Sequence, residues 1–440
     1  MTLTTRTLAG ASLLVALMGA ASAQTTITVA TVNNGDMIRM QRLTPAFNAL
    51  HPDIKVNWVT LEENVLRQRV TTDIASRGGQ YDVLTIGNYE VPIWAKQGWL
   101  LPLENLGADF DRDDLLPQVA KGLTVDGRLY AAPFYGESAM LMYRTDLLEK
   151  AGLKMPETPD WDFIAKAAEK MTDKGAGVYG ICLRGKAGWG ENMAFLTSMN
   201  NSMGGRWFDM EWKAQFNAPE WKRTLDTYLH LMKEFGPPGV SSNGFNENLA
   251  LFQTGKCGMW IDATVAASFI SNPKESKVAD RVGFAPFPVR TGGSNHGNWL
   301  WSWNLAIPAT TAKAEAAKTF VAWATSPAYS RLVAEKEGIA NVPPGTRTSL
   351  YRNPEYLKVA PFAAMTLAAI EAANTQKPSD LEVPYTGGQF VAIPEFQAIG
   401  TAVGQQFSAA LAGKATADQA LAAAQALTVR EMTRAGYPKK

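Results

Sequence analysis

The chain has 440 residues, 46% hydrophobic and 19% charged, with 42 Lys and Arg set against 41 Asp and Glu. This composition is globular and long enough for two or three domains, each with its own core. No basic block exceeds the terminal pair Lys439 and Lys440, which excludes nucleic acid and anionic membrane as partners, because both require a concentrated positive field.

The first 23 residues carry Arg6, the short apolar run LAGASLLVALMGA and Ala21-Ser22-Ala23 before Gln24. This is the pattern of an export signal cleaved after Ala23. Gln24 rather than Cys immediately follows the cleavage site, and no later apolar run reaches the roughly 18 residues needed to span a bilayer. The expectation is a soluble periplasmic protein.

The mature amino end alternates strand and helix signals. TITVATV and IKVNWVTL read as strands, GDMIRMQRLTPAFNALHP and NVLRQRVTTDIASRG as amphipathic helices, and YDVLTIGN as a third strand. Such βαβαβ order predicts a parallel sheet with helices on both faces. Ligands bind beyond the carboxyl ends of these strands, which here carry Asn33 and Asn34, Glu62, and Asn88 with Tyr89.

Further along, LMYRTDLLEKAGL reads as a helix, and GVYGICL and GKCGMWI read as strands that hold Cys182 and Cys257. In an oxidising compartment the two cysteines form one disulfide or remain as buried thiols, and both alternatives stay open. VGFAPFPV and LWSWNLAIP resume strand character, and the segments from EYLKVAPFAAMTLAAIEAA onward are helical. Trp299, Trp301 and Trp303 alternate along the second of these strands. A spacing of two sends all three indoles to one face, where a core or a binding platform would use them.

Catalytic motifs are missing. There is no HExxH, no GxSxG, no CxxC and no GxxxxGK[ST], and His51, His230 and His296 lack metal-ligand spacing. GAGVYG, with Gly175, Gly177 and Gly180, spells GxGxxG, but it follows a helix and opens a strand, the reverse of a dinucleotide site. The acid pairs Glu62 with Glu63 and Asp113 with Asp114 fit helix starts better than a glycosidase pair. What the chain has in quantity is Asn, Asp, Glu and aromatic residues at strand ends. That mixture suits a polyhydroxylated ligand with C–H faces.

In chain order, FNALHPDIKVNW, YDVLTIGN with WAKQGWLLPL, DGRLYAAPFYGESAMLMYRTDLLEKAGL, LFQTGKCGMWIDA, VGFAPFPV, NLAIPATTAKAEAAKTFVAWATSPAYSRLV and ALAGKATADQALAAAQ resemble the extracellular solute-binding proteins of the carbohydrate, maltose-binding type. These deliver ligand to ATP-binding cassette (ABC) importers. The wording NNGDMIRMQ, PFYGES, GWGEN and the Trp row is most similar to the mannitol and sorbitol binding proteins of that family.

The resemblance implies an α/β, two-lobe periplasmic binding protein fold with a ligand cleft between the lobes. Residues 24–135 and 280–330 would form the amino-terminal lobe, and 136–279 and 331–440 the carboxy-terminal lobe. Hinge segments would lie near PFYGES, near 268–282 and near 326–340. The ligand-binding residues it implies on the first lobe are Asn33, Asn34, Asp36, Glu62, Asn88 and Tyr89, with Glu137 at the hinge. On the second lobe they are Trp189, Asp262, Thr264 and the region of Pro394 and Glu395. Trp303 aligns with a Trp that the family places before its LAIP-like strand, and Trp301 shares its face. Trp301-Ser302 replaces the usual Gly-Gly, which narrows the pocket, and Trp299 is expected in the core or at the rim.

The function implied is capture of a polyol of the mannitol, sorbitol or arabitol type, or of a small sugar, by a monomer that hands it to the permease subunits of an ABC importer. No catalysis, cofactor, metal or nucleic acid is expected. The alternatives are a secreted carbohydrate-active enzyme and a receptor that presents ligand to a sensor.

Overall fold

A computed structural model describes residues 24–107 and 110–438, so the expected leader, residues 1–23, lies outside the described residues. The mature chain opens with β1 (Thr25–Val32), α1 (Gly35–Leu50), β2 (Ile54–Leu61), α2 (Glu63–Ser76), β3 (Val83–Gly87) and α3 (Glu90–Lys96). β1 pairs in parallel with both β2 and β3, as the alternating pattern requires. A short hairpin, β4 (Thr124–Val125) and β5 (Arg128–Leu129), precedes β6 (Ala131–Glu137). The first sheet has the order β2-β1-β3-β11-β6, with β11 (Trp301–Ala306) antiparallel to both β3 and β6.

The second sheet has the order β10-β7-β9-β8 and is built from β7 (Ala139–Arg144), β8 (Tyr179–Cys182), β9 (Cys257–Ala263) and β10 (Val282–Pro286). Cys182 and Cys257 are joined in a disulfide, which decides between the two alternatives. Helices Asn192–Ser202, Pro219–Phe235, Phe396–Leu411 and Ala417–Arg434 pack with this half of the molecule.

The chain passes between the sheets at Ser138, the single residue between β6 and β7. Ser138 N–H donates to Thr264 Oγ1 at 3.1 Å, and Thr264 N–H donates to Ser138 O at 2.8 Å. β10, expected with the amino-terminal lobe, pairs instead with β7 along its whole length, so the second passage is residues 287–300 rather than 268–282. Helix Pro327–Glu337 stays with the first sheet, where Tyr329 packs on Phe134 at 5.6 Å. The third passage comes after Arg347, which is still bonded to Phe110 O and Thr325 O. Beyond it, Phe362 packs on Phe284 of β10 at 5.7 Å. These differences arise because strand pairing, not sequence adjacency, decides which half a segment joins.

Candidate ligand-binding site

Register along β11 builds one wall of a cavity between the sheets. Trp301 lies opposite Glu137, and Trp303 lies opposite Tyr135 and Gly87. Opposed residues on paired strands share a face, so these side chains gather on one surface. Asn88 extends the ladder past the end of β3, its Nδ2 donating to Leu300 O at 3.1 Å and its Oδ1 accepting from Ser302 N–H at 3.3 Å. That bond fixes the start of the Trp row.

α2 brings a cation over this wall. Arg67 lies one turn after Glu63, donates to Glu63 Oε1 at 2.8 Å and to Glu90 Oε1 at 3.3 Å, and is buried. Its guanidinium carbon sits 4.1 Å from the ring centre of Trp189 and 4.7 Å from those of Trp301 and Trp303. Three indoles and two carboxylates therefore hold one cation in place.

The facing wall comes from the second sheet. Arg184 forks onto Asp262, with bonds of 2.9 Å from Nε and 2.7 Å from Nη2, and its Nη1 donates to Gly190 O at 3.0 Å. Asp262 also accepts from Trp260 Nε1 at 3.1 Å, which leaves it fully committed within the protein. Phe245 packs against Arg184, 5.4 Å from ring centre to guanidinium, and Trp189, Ala194 and Val265 complete this side.

The cavity volume is about 30 Å³, far below the roughly 300–1,000 Å³ of drug-sized pockets. Around it, Trp299 Nε1 and Gln389 Oε1 are buried without a hydrogen-bond partner among the described residues. The Glu137 side chain is buried too and has no hydrogen-bond partner among the described residues. Burial, against the pull of Arg184, lifts its carboxyl well above the usual range, and Asp262 and Glu63 add to the rise. An unpaired donor, an unpaired acceptor and a buried carboxyl therefore belong to residues lining one small space, and hydroxyl groups, which both donate and accept, can satisfy all three.

The halves meet directly at the rim of this cavity. Lys186 pairs with Glu62, Asn64 Nδ2 donates to Ala187 O at 3.1 Å, and Asn246 Nδ2 donates to Asn33 Oδ1 at 3.2 Å. Gly190 closes against α2, where a Cβ would lie 2.7 Å from Arg67 Nη2 and 2.8 Å from Glu63 Oε1. Glu191, beside it, is pushed up to about 8, chiefly by burial and then by Glu63. Burial also raises Glu62, but the Lys186 hydrogen bond and the backbone N–H groups of Asn64 and Val65 outweigh it and hold Glu62 below its ordinary value.

Of the residues expected at the ligand, the cavity brings together Asn34, Glu137, Trp189, Trp301 and Trp303. The others have different employment. Asn33 and Glu62 bridge the rim, and Glu62 also caps α2. Asp36 is buried against Arg39, and Asn88 splices the strands. Tyr89 donates to Ile393 O at 2.8 Å and props Trp189, with ring centres 4.9 Å apart. Asp262 is bound to Arg184, and Thr264 ties the passage at Ser138. Glu395 accepts from Tyr437 Oη at 3.4 Å, and Trp299, expected in core or rim, lines the cavity.

The polar and aromatic lining residues missed are Glu63, Arg67, Tyr135, Arg184, Phe245 and Gln389. Three of them left a local signal. Tyr135 stands two positions before Glu137 on one strand and so shares its face, and Glu63 with Arg67 is an i,i+4 pair on the first turns of a helix at the cleft edge. Arg184, Phe245 and Gln389 reach the cavity only through long-range packing.

Residues 34–330 match the model of the bacterial extracellular solute-binding protein family. The chain is 57% identical to a mannitol-binding protein of Pseudomonas aeruginosa over 414 residues, 94% of each chain. Its structure is similar to that of an ABC transporter solute-binding protein of Agrobacterium vitis S4 with bound D-mannitol, at 70% identity and a TM-score of 0.93, covering 94% of this chain and 100% of that one. A ribitol complex from Agrobacterium radiobacter K84 follows at 25% identity and a TM-score of 0.82, covering 93% and 99%.

Proposed function

The chain belongs to the bacterial extracellular solute-binding protein family, and from that premise we infer that it is a polyol receptor, most fitted to a hexitol such as mannitol, that serves an ABC importer. It binds its ligand and does not transform it. The observation that carries this reading is the cavity between the sheets, whose lining combines four indoles with the buried, unpartnered Trp299 Nε1 and Gln389 Oε1 and the buried Glu137 carboxyl. The relatives with mannitol or ribitol in their names support the ligand class.

Trp303 and Trp301 stack on the carbon chain, Glu137 and Asn34 bond hydroxyls from one lobe, and Trp189 closes from the other. A hexitol has about 12 heavy atoms, so micromolar binding, about −8.2 kcal/mol, needs about 0.7 kcal/mol per atom, inside the attainable range. Ligand held by both lobes favours the closed form by the affinity gained from the second lobe. The five-stranded sheet with its helices is one lobe and the four-stranded sheet with its helices the other, hinged at Ser138. The receptor acts in the periplasm as a monomer, is cleaved after Ala23, and presents the closed form to the permease subunits. Among the described residues, no helix is long and apolar enough to cross a membrane.

The test is calorimetry of the mature protein with mannitol, sorbitol, arabitol and maltose, followed by NMR of the recovered ligands. A hexitol should bind and return unchanged. Binding to none of the polyols overturns the ligand class, and any product above a heat-killed control overturns the receptor reading.

A further inference from the structure

Trp301 is seated unlike its neighbours. Its six-membered ring covers the bare Cα of Gly87, where a Cβ would overlap Cη2, Cζ2 and Cζ3 of the indole. The ring is held edge-on by Trp303 at 5.4 Å and 83°, by Trp189 at 5.8 Å and 68°, and by Phe390 at 6.1 Å and 78°. Arg67 lies across its face at 4.7 Å. These contacts leave the indole little room to swing away from its place in the cavity wall. An extended carbon chain is narrower than a six-membered sugar ring of the same carbon number, so a fixed wall at this position acts on width before it acts on hydrogen bonding.

We propose that Trp301, seated on Gly87, is the specificity-determining residue of this site, admitting acyclic polyols and rejecting pyranoses by occupying the width a sugar ring would need. This rests on the polyol-receptor reading and goes beyond it, because the reading alone assigns Trp301 only a stacking role. A stacking platform attracts both ligand shapes, whereas a width filter separates them.

The experiment compares D-mannitol with D-mannose, a pair that differs chiefly in ring closure, by calorimetry on the full mature chain. Wild type should prefer mannitol strongly. Trp301→Gly removes the filter, so mannitol affinity should fall while mannose affinity rises, and their ratio should shrink by about tenfold or more, the scale on which pocket shape discriminates. Trp301→Phe trims the ring without removing it, keeps the packing against Trp303 and Phe390, and should move the ratio the same way by a smaller factor. It also serves if the glycine variant does not fold. A ratio unchanged in the folded variants, with both ligands weakened alike, overturns the filter and leaves Trp301 a platform. Wild type that binds mannitol and mannose equally also overturns it. Wild type that binds no polyol overturns the reading beneath it instead.

Discussion

Two buried arginines face each other across the cavity and are held in opposite ways. Arg67 is stacked between indoles and bonded to Glu63, four residues earlier on the same helix. Arg184 is forked onto Asp262, 78 residues away, is bonded to Gly190 O and paired with Glu191 at 3.4 Å, and has the Phe245 ring against it. The first arrangement makes a wall of flat rings that a ligand can touch. The second makes a wall whose polar groups already satisfy one another. Mutations on the first wall should therefore be felt mainly in affinity, and mutations on the second mainly in stability.

The largest effect expected is on the second wall. Asp262→Ala leaves Arg184 buried without its main partner, and breaking such a pair costs about 3–5 kcal/mol. Thermal or denaturant unfolding measures it. A variant as stable as wild type but unable to bind ligand would erase the contrast between the walls. Next comes Trp303→Ala on the first wall, which should weaken hexitol binding by about 1.5–3 kcal/mol, roughly ten- to a hundredfold, by calorimetry. A steep drop in melting temperature with unchanged affinity in the folded fraction would make that ring core rather than platform.

The two walls also meet electrostatically. Glu191 of one half lies beside Glu63 of the other and is pushed up to about 8, first by burial and then by that neighbour. With the cleft open and solvated the group returns toward about 4.3, its ordinary value. The closed form therefore holds the proton more tightly, and what that proton contributes is present in full at low pH and lost as pH rises through about 8. Hexitol affinity should accordingly fall as pH rises from about 4 to about 8 and level off above that, and Glu191→Gln should flatten the profile. A profile that rises with pH contradicts the linkage. The smallest effect belongs to the rim. Lys186→Ala removes the pair with Glu62, which is partly exposed, so affinity should drop by no more than about 1 kcal/mol and the difference should fade in high salt.

The sequence carried much of this architecture. The βαβαβ start was legible because each strand is a short apolar run and each helix keeps its own period, and the Trp row was legible because alternation alone sends its rings to one face. The carboxylates were harder. Asp36, Glu62 and Asp262 look alike as acids near strand ends, yet Asp36 is matched by Arg39 three residues away, Glu62 by Lys186 across the rim and Asp262 by Arg184. Two of those partners lie 124 and 78 residues away, and no local pattern links a residue to a partner so distant. Glu137 is the exception that stays uncommitted. Strand β10 was assigned to the wrong half for a related reason, since its antiparallel pairing with β7 joins segments 138 residues apart, as between Val282 and Arg144.

Closure of the two lobes around ligand is the claim on which the site depends, because Asn34 and Glu137 stand on one half and Trp189 on the other. Small-angle X-ray scattering of the mature protein with and without saturating mannitol tests it most directly. The radius of gyration should decrease with ligand as the cleft shuts and water leaves it. Scattering curves that superimpose while calorimetry shows the site filled would contradict closure.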